Sequence, residues 1–351
     1  MNRRSFLLAA GAAVPILAGA RAVLATSRPA SLAPGLSESA ICRTALVAPV
    51  VLPQTKKLKL TWNANAICTV GVPTALTQGF FERHNLDVEL INFGGSTDQL
   101  LEAIASGKAD AGIGMALRWL KPLEMGFDVK IAAGIHGGCM RLFVSPGSKI
   151  ASLGDLRGKI VGVTDMAAPD RNFFSVMLQR AGVDPAADIQ WRTFPADVLP
   201  VALKKGEIDA FSLGDPLGWI ARDRDGLTEL ANNLSGEYAH RTCCVLGVRG
   251  SLVRDERDVA TALVQALLGA QQWVAANPDG AAEIFAPYAK APTAQLAAML
   301  RSHTHQHNPI GADLREQIAA YATDLKQVSV LKPATDPAKY AARVTVDLLT
   351  T

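Results

Sequence analysis

Apolar side chains alternate with lysines in "KLKLTW" (57–62), the period of a strand with one buried face. The pattern then changes. "VPTALTQGFFERHN" (72–85) carries an apolar helical face and an Asn stop, and "DVELINF" (87–93) reads as a second strand. "STDQLLEAIASG" (96–107) predicts a helix opened by Ser96 or Thr97 and closed by Gly107. "ADAGIGM" (109–115) is a short buried strand. Strands alternating with helices in this order predict a mostly parallel sheet with helices on both faces.

The pattern nearly repeats. "LLEAIASGKADAGIGMALRWL" (100–120) is echoed by "LPVALKKGEIDAFSLGDPLGWI" (199–220). Each has an apolar helix, Gly, two residues, Asp-Ala, a short strand, a second Gly, and a tryptophan five positions later (Trp119, Trp219). A repeat of about a hundred residues is too long for a solenoid and predicts two similar α/β lobes. "CMRLFVSPGSKIASLGDLRGKIVGV" (139–163) reads as the passage into the second lobe, and "TCCVLGVRGSLV" (242–253) as a strand crossing back. Helical patterns fill most of the chain from Asp255 to Val328. The expected layout is residues 57–145 with 245–351 in lobe 1 and 146–244 in lobe 2.

The amino terminus, "MNRRSFLLAAGAAVPILAGARAVLA" (1–25), has the arginine pair, Ser-Phe-Leu, short apolar run and small-residue end of a twin-arginine export signal. Residues 26–56, rich in Pro, Ser and Ala, read as a flexible tail. The formal charge is +3, but Arg3, Arg4 and Arg21 belong to the leader; without them 32 basic residues face 32 acidic ones. That balance gives no basic face for nucleic acid. Five cysteines (42, 68, 139, 243, 244) are an odd number for an oxidising compartment, so at least one free thiol is expected.

In combination, "GFFERHNLDVEL", "GGSTDQLLEAIASGKADAGIG", "SLGDLRGKIVGV" and "ALKKGEIDAFSLGDPLGWIA" resemble the nitrate/sulfonate/taurine group of periplasmic solute-binding proteins, over roughly residues 57–330. The resemblance implies a two-lobed α/β periplasmic binding protein of type II. In it, each lobe is a mostly parallel sheet flanked by helices, and two hinge strands join the lobes. It also implies a monomer in the periplasm, exported by the twin-arginine route, that delivers solute to the permease and ATPase subunits of an ABC importer. No enzyme activity, cofactor, metal or nucleic-acid partner is expected.

In open α/β sheets ligands meet the carboxyl ends of strands, near helix amino termini. The strand ends here offer Asn63, Asn65, Gly95, Ser96, Thr97, Met115, His136 and Gly137 from the first lobe. The second offers Thr164, Asp165, Arg171, Asn172, Asp215 and Trp219, with His240 before the returning strand. The "GGST" segment and "TDMAAPDRN" suit a compact anion or small organic acid, nitrate-, sulfonate- or taurine-like. In "GIHGGC" (134–139) His136 is expected to point at the solute, the glycines to let backbone approach it, and Cys139 to pack. The alternative is a same-fold enzyme or metal-binding protein using His136, Cys139 and His240. "HTHQH" (303–307) has histidines at alternate positions but reads as a loop, without a carboxylate or thiol nearby to complete a metal site.

Overall fold

Strand β1, Lys56–Trp62, buries Leu58, Leu60 and Trp62 and turns Lys57 and Lys59 to solvent, as the alternation requires. The computed structural model describes residues 48–93, 97–304 and 308–349; the segment 1–25, expected to be an export signal, and Gly95 and Ser96 lie outside them. Beside β1 run β2 (Leu86–Asn92) and β3 (Ala111–Met115), both parallel to it. β4 (Val129–His136) lies at the far edge of the same sheet.

The chain then passes directly into β5 (Met140–Val144), which belongs to a second sheet. That sheet adds β6 (Ile160–Val163), β7 (Gln190–Thr193), β8 (Ala210–Gly214) and β9 (Thr228–Asn232). The return crossing delivers β10 (Cys244–Arg249) to the first sheet. The orders are β2-β1-β3-β10-β4 and β7-β6-β8-β5-β9. In the first sheet four strands share a direction and β10 opposes both its neighbours. β5 does the same in the second. The one antiparallel strand of each sheet is the strand that has just arrived from the other lobe. Lobe 1, drawn from sequence as 57–145 with 245–351, thus includes in β5 a strand of the second sheet.

The repeat has a physical basis in its two aspartates. The Asp110 amide donates to Lys59 O and its carboxylate accepts the Lys59 N–H at 2.8 Å. Asp209 makes the same pair of bonds with Ile160, also at 2.8 Å. Each carboxylate therefore sets the register of a parallel pair: Leu60 opposite Ala111 in one sheet, Val161 opposite Ala210 in the other. The preceding Gly107 and Gly206 take φ of +78° and +73°, ending their helices in the left-handed turn that a side chain would resist.

Two expectations differ from the structure. The segment 72–85 is not one helix: Gly71–Thr77 is helical, Gly79 breaks it at φ +68°, and a 3-10 turn, Glu82–His84, follows before Asn85. Residues 48–55, placed in the flexible tail, lie against the first lobe. The Val50 N–H donates to Gln265 Oε1 at 2.8 Å, Val50 O meets His84 Nδ1 at 2.6 Å, and Leu52 is buried. Behind the first sheet the helix Arg257–Ala276 packs on β4 and on Gly71–Thr77. It is apolar and long enough to cross a membrane, but most of it is buried in this core.

Candidate functional site

The residues following β1, β3, β6 and β8 line a cleft of about 510 Å³ shared by the two lobes. That is the strand-end position expected of a ligand site in open α/β sheets. Asn63 and Asn65 form a tight turn after β1, with Asn63 Oδ1 accepting the Asn65 N–H at 2.9 Å, while the Thr69 hydroxyl donates to Asn63 O at 2.7 Å. Met115 ends β3 and leads into the helix Ala116–Glu124, which carries Arg118 to the cleft wall.

Arg118 is nearly buried and reaches Asp165 of the second lobe with both terminal nitrogens, at 3.2 and 3.4 Å. The Ala167 N–H holds the Asp165 carboxyl below the usual carboxylate range, and Arg118 adds to this against the opposing effect of burial. Asp170, at the start of the helix Pro169–Arg180, is buried and accepts the Ser212 hydroxyl at 2.7 Å. Burial raises its pKa despite hydrogen bonds from Ser212 and from the backbone N–H groups of Asp170 and Arg171.

The third carboxylate, Asp215, is committed to structure. Arg141 Nε donates to its two oxygens at 3.1 and 2.9 Å, the Trp219 N–H donates at 3.0 Å, and His303 Nε2 lies 2.9 Å from Oδ2. Arg141 also meets Glu229 at 2.6 Å. Apolar wall comes from Leu100, Ile113, Met140 and Leu213, with Cys68 and Cys244 beside them.

The cleft thus brings together six of the residues read from sequence: Asn63, Asn65, Met115, Thr164, Asp165 and Asp215. Thr97 begins its helix as expected, its side chain lying outside the described residues. The other candidates among the described residues are elsewhere. His136 is fully buried at the end of β4, edge-on to the His303 ring at 5.2 Å, with Nδ1 2.9 Å from Gly137 O. The reason is the segment after the helix Thr293–Ser302, which covers the end of β4. Asn308 donates to Gly134 O and Ile135 O, and the Gly134 N–H donates to Pro309 O.

The glycines of "GIHGGC" serve those same approaches. A Cβ on Gly137 would sit 2.1 Å from Thr304 Oγ1, and one on Gly138 2.2 Å from Asn233 O. Asn172 donates to Leu117 O at 3.1 Å across the lobes, and Arg171 lies over the Trp191 ring. The Arg141 and Arg222 guanidinium groups both lie over the Trp219 ring, and His240 is exposed on the turn Gly236–His240.

Two charged residues of the wall, Arg118 and Asp170, were missed from sequence. Arg118 follows the second Gly of the repeat by four positions, and Asp170 sits between the Pro and Arg of "TDMAAPDRN"; their place just after a strand end was the available signal. Among the described residues the wall carries three carboxylates, of Asp165, Asp170 and Asp215, and one guanidinium. Among the described residues Arg118 is its one cation, already bonded to Asp165, while Asp170 meets no cationic side chain. His305 and His307 lie outside the described residues, and among those described no group of three or more His, Cys, Asp or Glu is arranged to hold a metal ion.

Residues 69–281 match the family described as NMT1/THI5 like. A Brucella abortus protein provisionally named as a binding protein is 27% identical over 225 residues, 63% of this chain and 68% of its own. Among solved structures, the periplasmic aliphatic sulphonate binding protein SsuA of Escherichia coli superposes with a TM-score of 0.71 at 17% identity, covering 84% of this chain and 93% of its own. The periplasmic nitrate-binding protein NrtA of Synechocystis PCC 6803 gives 0.67 at 16%, covering 85% and 88%. With the paired sheets and the shared cleft, these findings establish that the chain belongs to the NMT1/THI5-like family and has the two-lobed α/β fold of periplasmic solute-binding proteins.

Proposed function

We propose that this protein is the exported, non-catalytic solute-binding component of an ABC importer, working in the periplasm as a monomer. It captures one small organic solute between its lobes and presents it to the permease and ATPase. Export by the twin-arginine route rests on the leader sequence. The observation that carries the reading is the cleft itself, of about 510 Å³, built from the ends of β1, β3, β6 and β8. A solute touching both walls stabilises the closed pair of lobes because only the closed form offers both sets of contacts.

The electrostatics favour a solute other than the anion expected from sequence. With Arg118 engaged by Asp165, the wall offers an anion no spare cation among the described residues. Asp170 is a buried acceptor, and Asn63 and Asn65 add amides. A neutral or cationic molecule bringing N–H donors to Asp170, with an apolar body against Met115, Met140 and Leu213, fits this wall.

Thermal denaturation with acetamidine, 2-aminopyrimidine, ethanesulfonate and nitrate tests both parts. A true ligand at a hundred times its Kd stabilises by about 2.7 kcal/mol. Stabilisation by an N–H donor, lost in Asp170→Asn, supports the reading. Stabilisation by ethanesulfonate or nitrate that survives Asp170→Asn overturns the ligand class and leaves the transport role standing.

A further inference from the structure

The three carboxylates of the cleft wall differ in what neutralises them. Asp165 is bonded to Arg118 across the lobes, at 3.2 and 3.4 Å. Asp215 receives Arg141 Nε on both oxygens, at 3.1 and 2.9 Å, and has His303 Nε2 2.9 Å from Oδ2. Asp170 is buried as well, but among the described residues its one side-chain partner is Ser212, whose hydroxyl donates to Oδ2 at 2.7 Å. A hydroxyl orients a carboxylate and brings it no charge.

The cations around Asp170 are engaged elsewhere. Arg118 is held by Asp165, and Arg141 is shared by Asp215 and Glu229. Arg171, its neighbour on the helix Pro169–Arg180, lies over the Trp191 ring. From the loop after β6, Asp165 faces Asp170 with a charge of the same sign. The thiols of Cys68 and Cys244 complete the titratable groups of the wall among the described residues. A carboxylate buried without a countercharge is costly, and either a proton or a cation neutralises it. Burial accordingly lifts the Asp170 carboxyl above its ordinary range, and the Asp165 charge adds to this against the Ser212 hydroxyl and the backbone N–H groups of Asp170 and Arg171. Because Asp170 lines the cleft, a solute is placed to supply the missing charge.

The wall also restricts the kind of cation. Among the described residues no Phe, Tyr or Trp lines the cleft, so it offers no aromatic cage for a quaternary ammonium. Asp170, Asn63 and Thr164 present oxygen acceptors instead, which N–H groups can meet.

We infer that the solute is an organic cation bearing N–H groups, and that on entering the cleft it exchanges for the proton of Asp170. This rests on the reading of the cleft as a solute site with Asp170 as its acceptor. In the exchange the Asp170 O–H bond breaks, the proton leaves to solvent or buffer, and the carboxylate is neutralised by the solute. No electrons change hands, and the net charge of the wall with its contents is the same before and after. Proton and solute compete, so affinity rises with pH by up to about tenfold per unit while the empty protein keeps the proton, and levels off above the folded value.

Isothermal titration calorimetry of the full chain with acetamidinium, in two buffers of different ionisation enthalpy, reads both affinity and protons released. The series runs from about pH 4.5, just above the ordinary carboxylate value, to about pH 8. The expected result is tighter binding as the pH rises, with proton release over the range in which affinity climbs and none where it is level. Acetamide, the neutral isostere, and tetramethylammonium, a cation without N–H, each bind at least about tenfold more weakly. Asp170→Asn abolishes both the pH dependence and the proton release, and the wild-type measurement does not depend on that variant folding. Acetamidinium bound with constant affinity and no proton release overturns the exchange and leaves the N–H-donor reading of the cleft standing. Acetamide or tetramethylammonium binding as tightly as acetamidinium overturns the cation class in the same way. Ethanesulfonate or nitrate bound in place of acetamidinium overturns this inference and the ligand class of the cleft together.

Discussion

Arg118 and Asp165 clasp each other across the cleft, one from the helix after β3 and the other from the loop after β6, through paired contacts of 3.2 and 3.4 Å. Sequence places them 47 positions apart and on different lobes. Asp165→Asn is expected to loosen closure and to lower stability by no more than about 1 kcal/mol, because its side chain is half exposed. Small-angle scattering of the ligand-free protein should report a larger radius of gyration; an unchanged one sinks the idea that this pair holds the lobes together. The pH dependence has a definite sign. The folded carboxyl lies below its unfolded value, so its stabilisation is complete above about pH 4 and disappears as the pH falls through the depressed folded value.

Asp170 carries the opposite sign. Its folded carboxyl titrates above its unfolded value because burial disfavours the charge. The ligand-free protein therefore loses stability as the pH rises through the window between the two values, beginning near about pH 4, and does not regain it above. Asp170→Asn removes that loss. It should raise the neutral-pH melting temperature of the empty protein while weakening binding of an N–H donor at least about tenfold, the cost of one charge-assisted hydrogen bond. A lower melting temperature in the variant would show that the carboxylate is a structural anchor.

Asp215 is where substitution should hurt most. Its side chain is fully buried and is shared by Arg141, His303 and the Trp219 amide. Asp215→Ala leaves Arg141 buried with only Glu229, and a cost of about 3–5 kcal/mol is expected in urea unfolding. A cost below about 1 kcal/mol would mean that Arg141 finds solvent instead.

Trp119 fixes the packing of the first lobe. Its indole fills the space above two glycines: a Cβ on Gly114 would lie 2.2 Å from Cζ2, and one on Gly247 2.6 Å from Cζ3. Gly114→Ala should cost about 1–3 kcal/mol or more by overpacking, and near-ultraviolet circular dichroism should show the displaced indole. An unperturbed signal would mean that β3 moves instead of the ring.

The paired aspartates can be tested together. Asp110→Ala and Asp209→Ala each remove a carboxylate that accepts a neighbouring strand's N–H, at an expected cost of about 1–2 kcal/mol. Being in different sheets, the two effects should add in the double variant; strong non-additivity would mean the lobes do not tolerate loss of register independently.

Much of this was legible in the chain because it is local. "KLKLTW" can bury only alternate residues, and the Gly-x-x-Asp-Ala repeat closes a helix and pins a strand within five residues. The end of each strand follows from these patterns, so Asn63, Asn65, Met115, Thr164, Asp165 and Asp215 could be named as cleft candidates in advance. The family motifs, spread over the same segments, carried the two-lobed architecture.

"GIHGGC" shows where local reading stops. Its glycines and histidine suggested a strand end facing ligand, and the strand end is real. What covers it is Thr304 and the Asn308-Pro309 turn, some 170 residues later, and no local pattern announces that contact. The partners of Arg118 and Asp170 and the charges of the cleft wall depend likewise on segments that meet only when both lobes are folded. Sequence by itself determined the elements, the repeat and the family, because those rest on periodicity and short-range hydrogen bonds. Tertiary structure alone decided which side chains face the cleft and which face one another, because burial and charge pairing are set by whatever the rest of the chain brings alongside.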